Sequence, residues 1–196
     1  KAHIVGASMG GMITQLVGLN HTDRALTLTP IMSSPAGGAV VDAINGNSVG
    51  ELSPPSPAVL AAIGTLGDVD WSDRAAVVAN RLAMFGILGG TKHPFDEAAG
   101  AELFGAEFDR ANNIASSQNH ALCIAATEPW GQRLGEIKLP TLVIHGTDDP
   151  ILPFDHGEAL VKGIAGARMV TMEGAGHDLP DALLDTIIPA LLDHTA

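Results

Sequence analysis

The chain has 196 residues, 46% of them hydrophobic, enough to build a substantial core and too apolar for a disordered segment. Its formal net charge of −12 argues against nucleic acid and anionic membrane surfaces, which both require clustered Lys and Arg. No apolar run approaches the roughly 20 residues of a membrane span. The single cysteine, Cys123, permits no internal disulfide, which fits a reducing compartment and a cytoplasmic location.

The first element expected is a short buried strand at residues 2–5. No initiator Met, signal peptide or lead-in precedes it, so the chain is expected to start in mid-fold. Gly6 to Gly11 form a turn, and the apolar spacing of residues 9–19 predicts a helix. Residues 25–29 alternate and stop at Pro30, which predicts a second strand and a right-handed parallel crossover between the two. From about residue 33 the texture changes. Ser33-Ser34-Pro35-Ala36-Gly37-Gly38 and Ser53-Pro54-Pro55-Ser56-Pro57 are strong breakers. Helical patterns follow near 58–66, 72–85, 96–115 and 118–126, with no strand-like alternation, so this third of the chain reads as a helical insertion.

After Pro140, residues 141–144 predict a buried strand and His145 to Pro150 a polar turn. Residues 155–164 predict a helix with Asp155 near its N-cap, 168–172 another strand, 173–178 a Gly-rich loop, and 180–194 a closing amphipathic helix. The order is α/β with a cap. Three stretches result: 1–33 as core, 34–134 as inserted helical cap, and 135–196 as core.

Ser8 in Gly6-Ala7-Ser8-Met9-Gly10-Gly11 stands where a buried strand turns directly into a helix, the context of a nucleophile elbow. Such a turn needs small neighbours, supplied by Gly6 and Gly10, while Gly11 lets the helix lie close to the sheet. The hydroxyl is then exposed at a helix N-terminus, where backbone N–H groups favour developing negative charge. The Met9 N–H is the natural first oxyanion donor. The plainer reading is a glycine-rich turn capped by Ser8; the spacing fits neither a dinucleotide nor a phosphate loop.

A serine needs a base, and the base an orienting carboxylate, both expected beyond C-terminal strand ends. Asp148 and Asp149 follow one strand, and His177 follows the next within Gly174-Ala175-Gly176-His177-Asp178. Pro150 fixes the turn beside Asp149, which leaves Asp148 as a solvated turn residue and the alternative acid. No carboxylate follows the strand ending at Pro30. His145 is expected to buttress the acid turn and His3 to lie inside the first strand. His21, His156 and His194 are expected at the surface, and His93 and His120 in the insertion. A metal site from His145, Asp148, Asp149, His177 and Asp178 lacks any His-x-x-x-His or Cys-x-x-Cys spacing to support it, so neither metal nor cofactor is expected. Cys123, in an apolar stretch, is expected in the core. Trp71, Phe85, Phe95, Phe104, Phe108 and Trp130 are core or pocket residues that the sequence does not assign.

The segments 3–11, 140–150 and 174–177, in this order, resemble the α/β-hydrolase superfamily from its nucleophile strand to its last helix. The stretch from Phe85 to Asp96 is similar to the cap of bacterial esterases of the aclacinomycin methylesterase-like group. The resemblance implies the C-terminal half of a mostly parallel sheet with flanking helices and an inserted cap. It selects Asp149 as the acid, the third residue past Gly146. It implies a carboxylesterase acting on a small or medium hydrophobic ester, with Ser8 attacking, His177 as base, Asp149 orienting the imidazole and Met9 N–H holding the oxyanion. A serine at position 8 sets aside the superfamily members that use an aspartate nucleophile. A cofactor-free haloperoxidase or perhydrolase and a low-turnover ligand-binding receptor share the same triad and remain alternatives. Family members carry several strands before the elbow and a second, His-Gly-type oxyanion donor. The expected partners are therefore a small-molecule ester and the missing N-terminal portion of the same hydrolase.

Overall fold

The computed structural model describes residues 1–35, 52–65 and 69–196. It contains a four-stranded sheet in the order β1 (Ala2–Ala7), β2 (Ala25–Ile31), β3 (Leu142–Gly146), β4 (Arg168–Met172), with every neighbouring pair parallel. Parallel neighbours need a crossover, and each is made by helix. Helix α1 (Met9–Asn20) joins β1 to β2 and α6 (Phe154–Gly163) joins β3 to β4. Between β2 and β3 lie α2 (Pro57–Thr65), α3 (Arg74–Leu88), α4 (Glu97–Arg110), α5 (Asn119–Ala125) and two 3₁₀ turns. A third 3₁₀ turn leads into α7 (Leu184–Thr195).

The pleat sorts the core. Val143 points with Met12, Leu28, Trp130, Leu160 and Ile164 into the layer beneath α1 and α6. Leu142 and Ile144, its neighbours along the strand, point the other way, onto Met172 and Ile187 of α7. β2 and β3 are almost wholly buried, as central parallel strands are. Among the described residues β1 ends the sheet on one side and is more exposed, with Val5 49% accessible.

Several expectations are corrected. β2 does not stop at Pro30 but runs through it to Ile31. The N–H groups of Leu28 and Met32 donate towards β3, to Pro140 and Ile144. Position 30 faces the same way, in the gap between the Leu28–Thr141 and Ile31–Ile144 contacts, so a residue without an N–H costs little there. Asp155 lies near the N-cap of α6 as expected, in its first turn; Pro153 is the cap residue itself, and Asp155 Oδ2 accepts the Ser53 N–H. The helix expected at 96–115 ends at Arg110. The last residue of the helix expected at 58–66 and residues 36–38 of the first breaker lie outside the described residues. Cys123 is exposed rather than in the core, because α5 turns Cys123 and Leu122 outward. No helix among the described residues is long and apolar enough to cross a membrane.

Candidate active site

Ser8 is the single residue between β1 and α1, and it takes φ 54° and ψ −118°. A side chain at positive φ is strained, and the surroundings must hold it there. Its N–H donates to Ile31 O at 2.8 Å, tying it to β2. Its carbonyl accepts the N–H groups of Gly11 at 2.9 Å and Met12 at 3.2 Å, and the Ser33 hydroxyl at 2.9 Å. A Cβ at Gly6 would lie 2.2 Å from Gly10 O, so only glycine fits. Gly10, by contrast, faces open space; the room expected from it is not used. Met9 opens α1, so its N–H belongs to the first turn, whose donors have no partner within the helix.

Past β3 the chain makes a turn that Asp149 organises. Its Oδ1 accepts the N–H groups of Ile151 at 3.0 Å and Leu152 at 2.8 Å, and its side chain is fully buried. Its Oδ2 meets His177 Nδ1 at 2.7 Å, and His177 Nε2 meets Ser8 Oγ at 2.9 Å. A carboxylate can only accept, so Nδ1 carries the proton and Nε2 is left to accept from the Ser8 hydroxyl. Residues 8, 149 and 177, far apart in the chain, thus form one line of hydrogen bonds. His177 is fixed by its backbone as well, its N–H donating to Leu88 O at 2.7 Å at the end of α3. A Cβ at Gly176 would lie 2.1 Å from the same Leu88 oxygen, so the histidine loop and the helical segment touch backbone to backbone.

Asp148 does not join this line. It lies in the turn, and its Oδ2 accepts both the N–H (3.2 Å) and the hydroxyl of Thr91. That hydroxyl is the main reason its carboxyl sits below the ordinary range. His145 buttresses the turn, its Nε2 meeting Leu152 O at 2.8 Å and lying 3.6 Å from Asp149 Oδ2. The carbonyl fixes the proton on Nε2, and Nδ1 is left buried without a partner. Burial holds this imidazole below its ordinary pKa. Asp178, beside the histidine, is buried with Oδ1 unpartnered, and burial pushes its carboxyl up.

Two histidines expected at the surface are buried. His156 Nδ1 meets the Ser34 hydroxyl and its Nε2 meets Ser53 O, both at 2.9 Å, and His194 Nε2 meets Leu28 O at 3.1 Å. His120 is exposed, yet partial burial, then His177 and Arg81, lowers its imidazole. Phe85, Phe95 and Phe104 pack together, Phe95 stacked on Phe104 and Phe85 tilted against both, and Trp130 is buried against α1. Sequence reading missed the polar group beneath the elbow. Gln15 donates to Gly11 O and Ser34 O, both at 3.1 Å, and accepts from Trp130 Nε1 at 2.8 Å. Its signal was a glutamine on the apolar face of α1. Among the described residues no group of three or more His, Cys, Asp or Glu could hold a metal ion.

The alpha/beta hydrolase family matches residues 1–186. The chain is 32% identical over 205 positions to a rhodomycin D methylesterase of Streptomyces peucetius, covering 99% of this chain and 66% of that protein. It is 33% identical, with the same coverage, to the rhodomycin D methylesterase of Streptomyces sp. strain C5. It therefore spans about two thirds of the length of these relatives. The enol-lactonase of Burkholderia xenovorans LB400 has the same fold, with a TM-score of 0.70 at 19% identity, over 99% of this chain and 65% of that one.

Proposed function

The chain belongs to the alpha/beta hydrolase family, and on that premise we propose that it is the serine-nucleophile portion of a carboxylesterase. What supports this reading is the line Asp149–His177–Ser8, with contacts of 2.7 and 2.9 Å. In the proposed reaction His177 Nε2 takes the Ser8 hydroxyl proton as Oγ bonds to the ester carbonyl carbon. Asp149 stabilises the imidazolium and keeps its tautomer. The Met9 N–H, at the start of α1, faces the developing oxyanion. The imidazolium then returns its proton to the departing alcohol, leaving an acyl-Ser8. Water gives a proton to His177 as its oxygen bonds to the acyl carbon, and the imidazolium returns that proton to Ser8 Oγ as the bond to the acyl group breaks and the acid leaves.

The relatives are methylesterases by name, and this favours a methyl ester of a small or medium hydrophobic acid. We take residues 34–134 as a cap over Ser8, with 1–33 and 135–196 as the core, and propose a cytoplasmic location from the single cysteine. Among the described residues the outer edge of β1 is unpaired, which supports a further segment of the same hydrolase pairing there and bringing the second oxyanion donor. Hydrolysis of p-nitrophenyl acetate and butyrate tests the reaction. Ser8→Ala should lose at least about 10³-fold in kcat/KM; a wild type no faster than Ser8→Ala would remove the esterase reading.

A further inference from the structure

The residues that hold the histidine loop come from a place the triad does not use. Leu88, the last residue of α3, and Gly89 to Lys92 after it lie directly on Gly174 to His177. The Thr91 hydroxyl and N–H both donate to Asp148 Oδ2. Asp148 Oδ1 accepts the Thr147 hydroxyl at 2.9 Å, and Thr147 Oγ1 in turn accepts the Gly174 N–H at 2.8 Å. The Asp148 N–H donates to Ala175 O at 3.0 Å, and the Lys92 N–H donates to Gly174 O at 3.1 Å. A continuous chain of hydrogen bonds thus runs from Thr91 through Asp148 and Thr147 to the start of the loop that carries His177. Asp148 is also the covalent neighbour of Asp149, so one side chain from the helical segment is linked to both partners of the Asp149–His177 contact.

We propose that Thr91 is a positioning residue, acting through Asp148 to hold the imidazole of His177 against Asp149 and Ser8. The carboxylate is the junction. Each of its oxygens accepts a hydrogen bond from a hydroxyl, one from the helical segment and one from the acid turn, and charged acceptors make the stronger hydrogen bonds. Without the Thr91 hydroxyl, Asp148 Oδ2 keeps only the Thr91 N–H at 3.2 Å and is freer to rotate into solvent. The Thr147 hydroxyl then has a less fixed acceptor, and the hydrogen bond it takes from the Gly174 N–H at the start of the loop is less firmly placed. Small displacements of a base are costly because proton transfer requires hydrogen-bond reach. The catalytic step of this inference rests on the esterase reading, but the placement of His177 does not, so the test has two arms.

The first arm needs no turnover. The His177 Nδ1 proton, held between imidazole and carboxylate, gives a downfield proton NMR signal assignable by its loss in His177→Ala. It should persist in the wild type and in Thr91→Ser, and broaden or vanish in Thr91→Val and in Asp148→Asn. The second arm is kinetic, on p-nitrophenyl butyrate. Thr91→Val should lower kcat about tenfold with KM within about twofold. Thr91→Ser should restore the rate. Thr91→Val added to Asp148→Asn should cost nothing more, since both break the same chain. A Thr91→Val protein with wild-type signal and wild-type kcat would overturn the proposal, as would losses from the two substitutions that multiply. If the signal responds as described but neither wild type nor variant hydrolyses any ester, the esterase reading fails and the positioning role stands.

Discussion

At the scale of the residue, the site depends on one strained backbone position and on what surrounds it. Ser8 stays at φ 54° because its N–H and C=O are both occupied and because Gly6 presents no Cβ to Gly10 O. Gly6→Ala should therefore lower the stability of the chain by about 3 kcal/mol in urea unfolding, since the obstacle is backbone and cannot rotate away. An unchanged midpoint would show that the elbow tolerates a wider turn. The residues of this line were legible in the sequence because each sits in a short run whose neighbours announce it: Gly6-Ala7-Ser8, Asp149-Pro150, Gly176-His177. The supporting residues were not. Whether His156 or His194 is buried depends on carbonyls of Ser53 and Leu28, more than 100 positions away. Thr91 gives no local sign that its partner is Asp148.

At the scale of the element, α1, β2, β3, β4 and α6 fall close to the positions their periodicity predicts. The departures have local causes. Pro30 is admitted into β2 because the ladder to β3 is sparse at its position, which one strand's sequence does not reveal. Cys123 and Leu122 look like core but lie on a short helix that turns them outward. The acid turn after β3 has a pH dependence of its own. His145 donates through Nε2 to Leu152 O, and its buried Nδ1 has no acceptor for a second proton. Its folded pKa is lowered, so below the ordinary histidine value of about 6.5 the unfolded chain binds more protons than the folded one. Stability from this residue is present above that value and lost as pH falls through it towards the lower folded value. Thermal melts from pH 7 to pH 5 should show a falling midpoint, and His145→Gln should flatten that fall. Equal slopes for both proteins would place the titration elsewhere.

At the scale of the whole molecule, a parallel sheet with helices on both faces was legible from the alternation of strand and helix. The contact of the helical segment with the histidine loop was not, because it is made by backbone atoms and polar side chains without periodicity. The described surface also carries apolar residues with no cover. Leu184, Ile188 and Leu192 form a stripe at helical spacing on α7, and Val5 is exposed on the edge strand. Such patches associate. Sedimentation velocity should show concentration-dependent association of this chain, reduced when Ile188 and Leu192 are both replaced by Lys; a monomer at every concentration would contradict it. The central claim is that Ser8 is a nucleophile activated by His177 and Asp149. The most direct test is to treat the chain with a fluorophosphonate and locate the adduct by peptide mass spectrometry. The account predicts a single adduct on Ser8, absent in Ser8→Ala and formed far more slowly in His177→Ala. An unlabelled wild type, or an adduct formed equally well without His177, would contradict it.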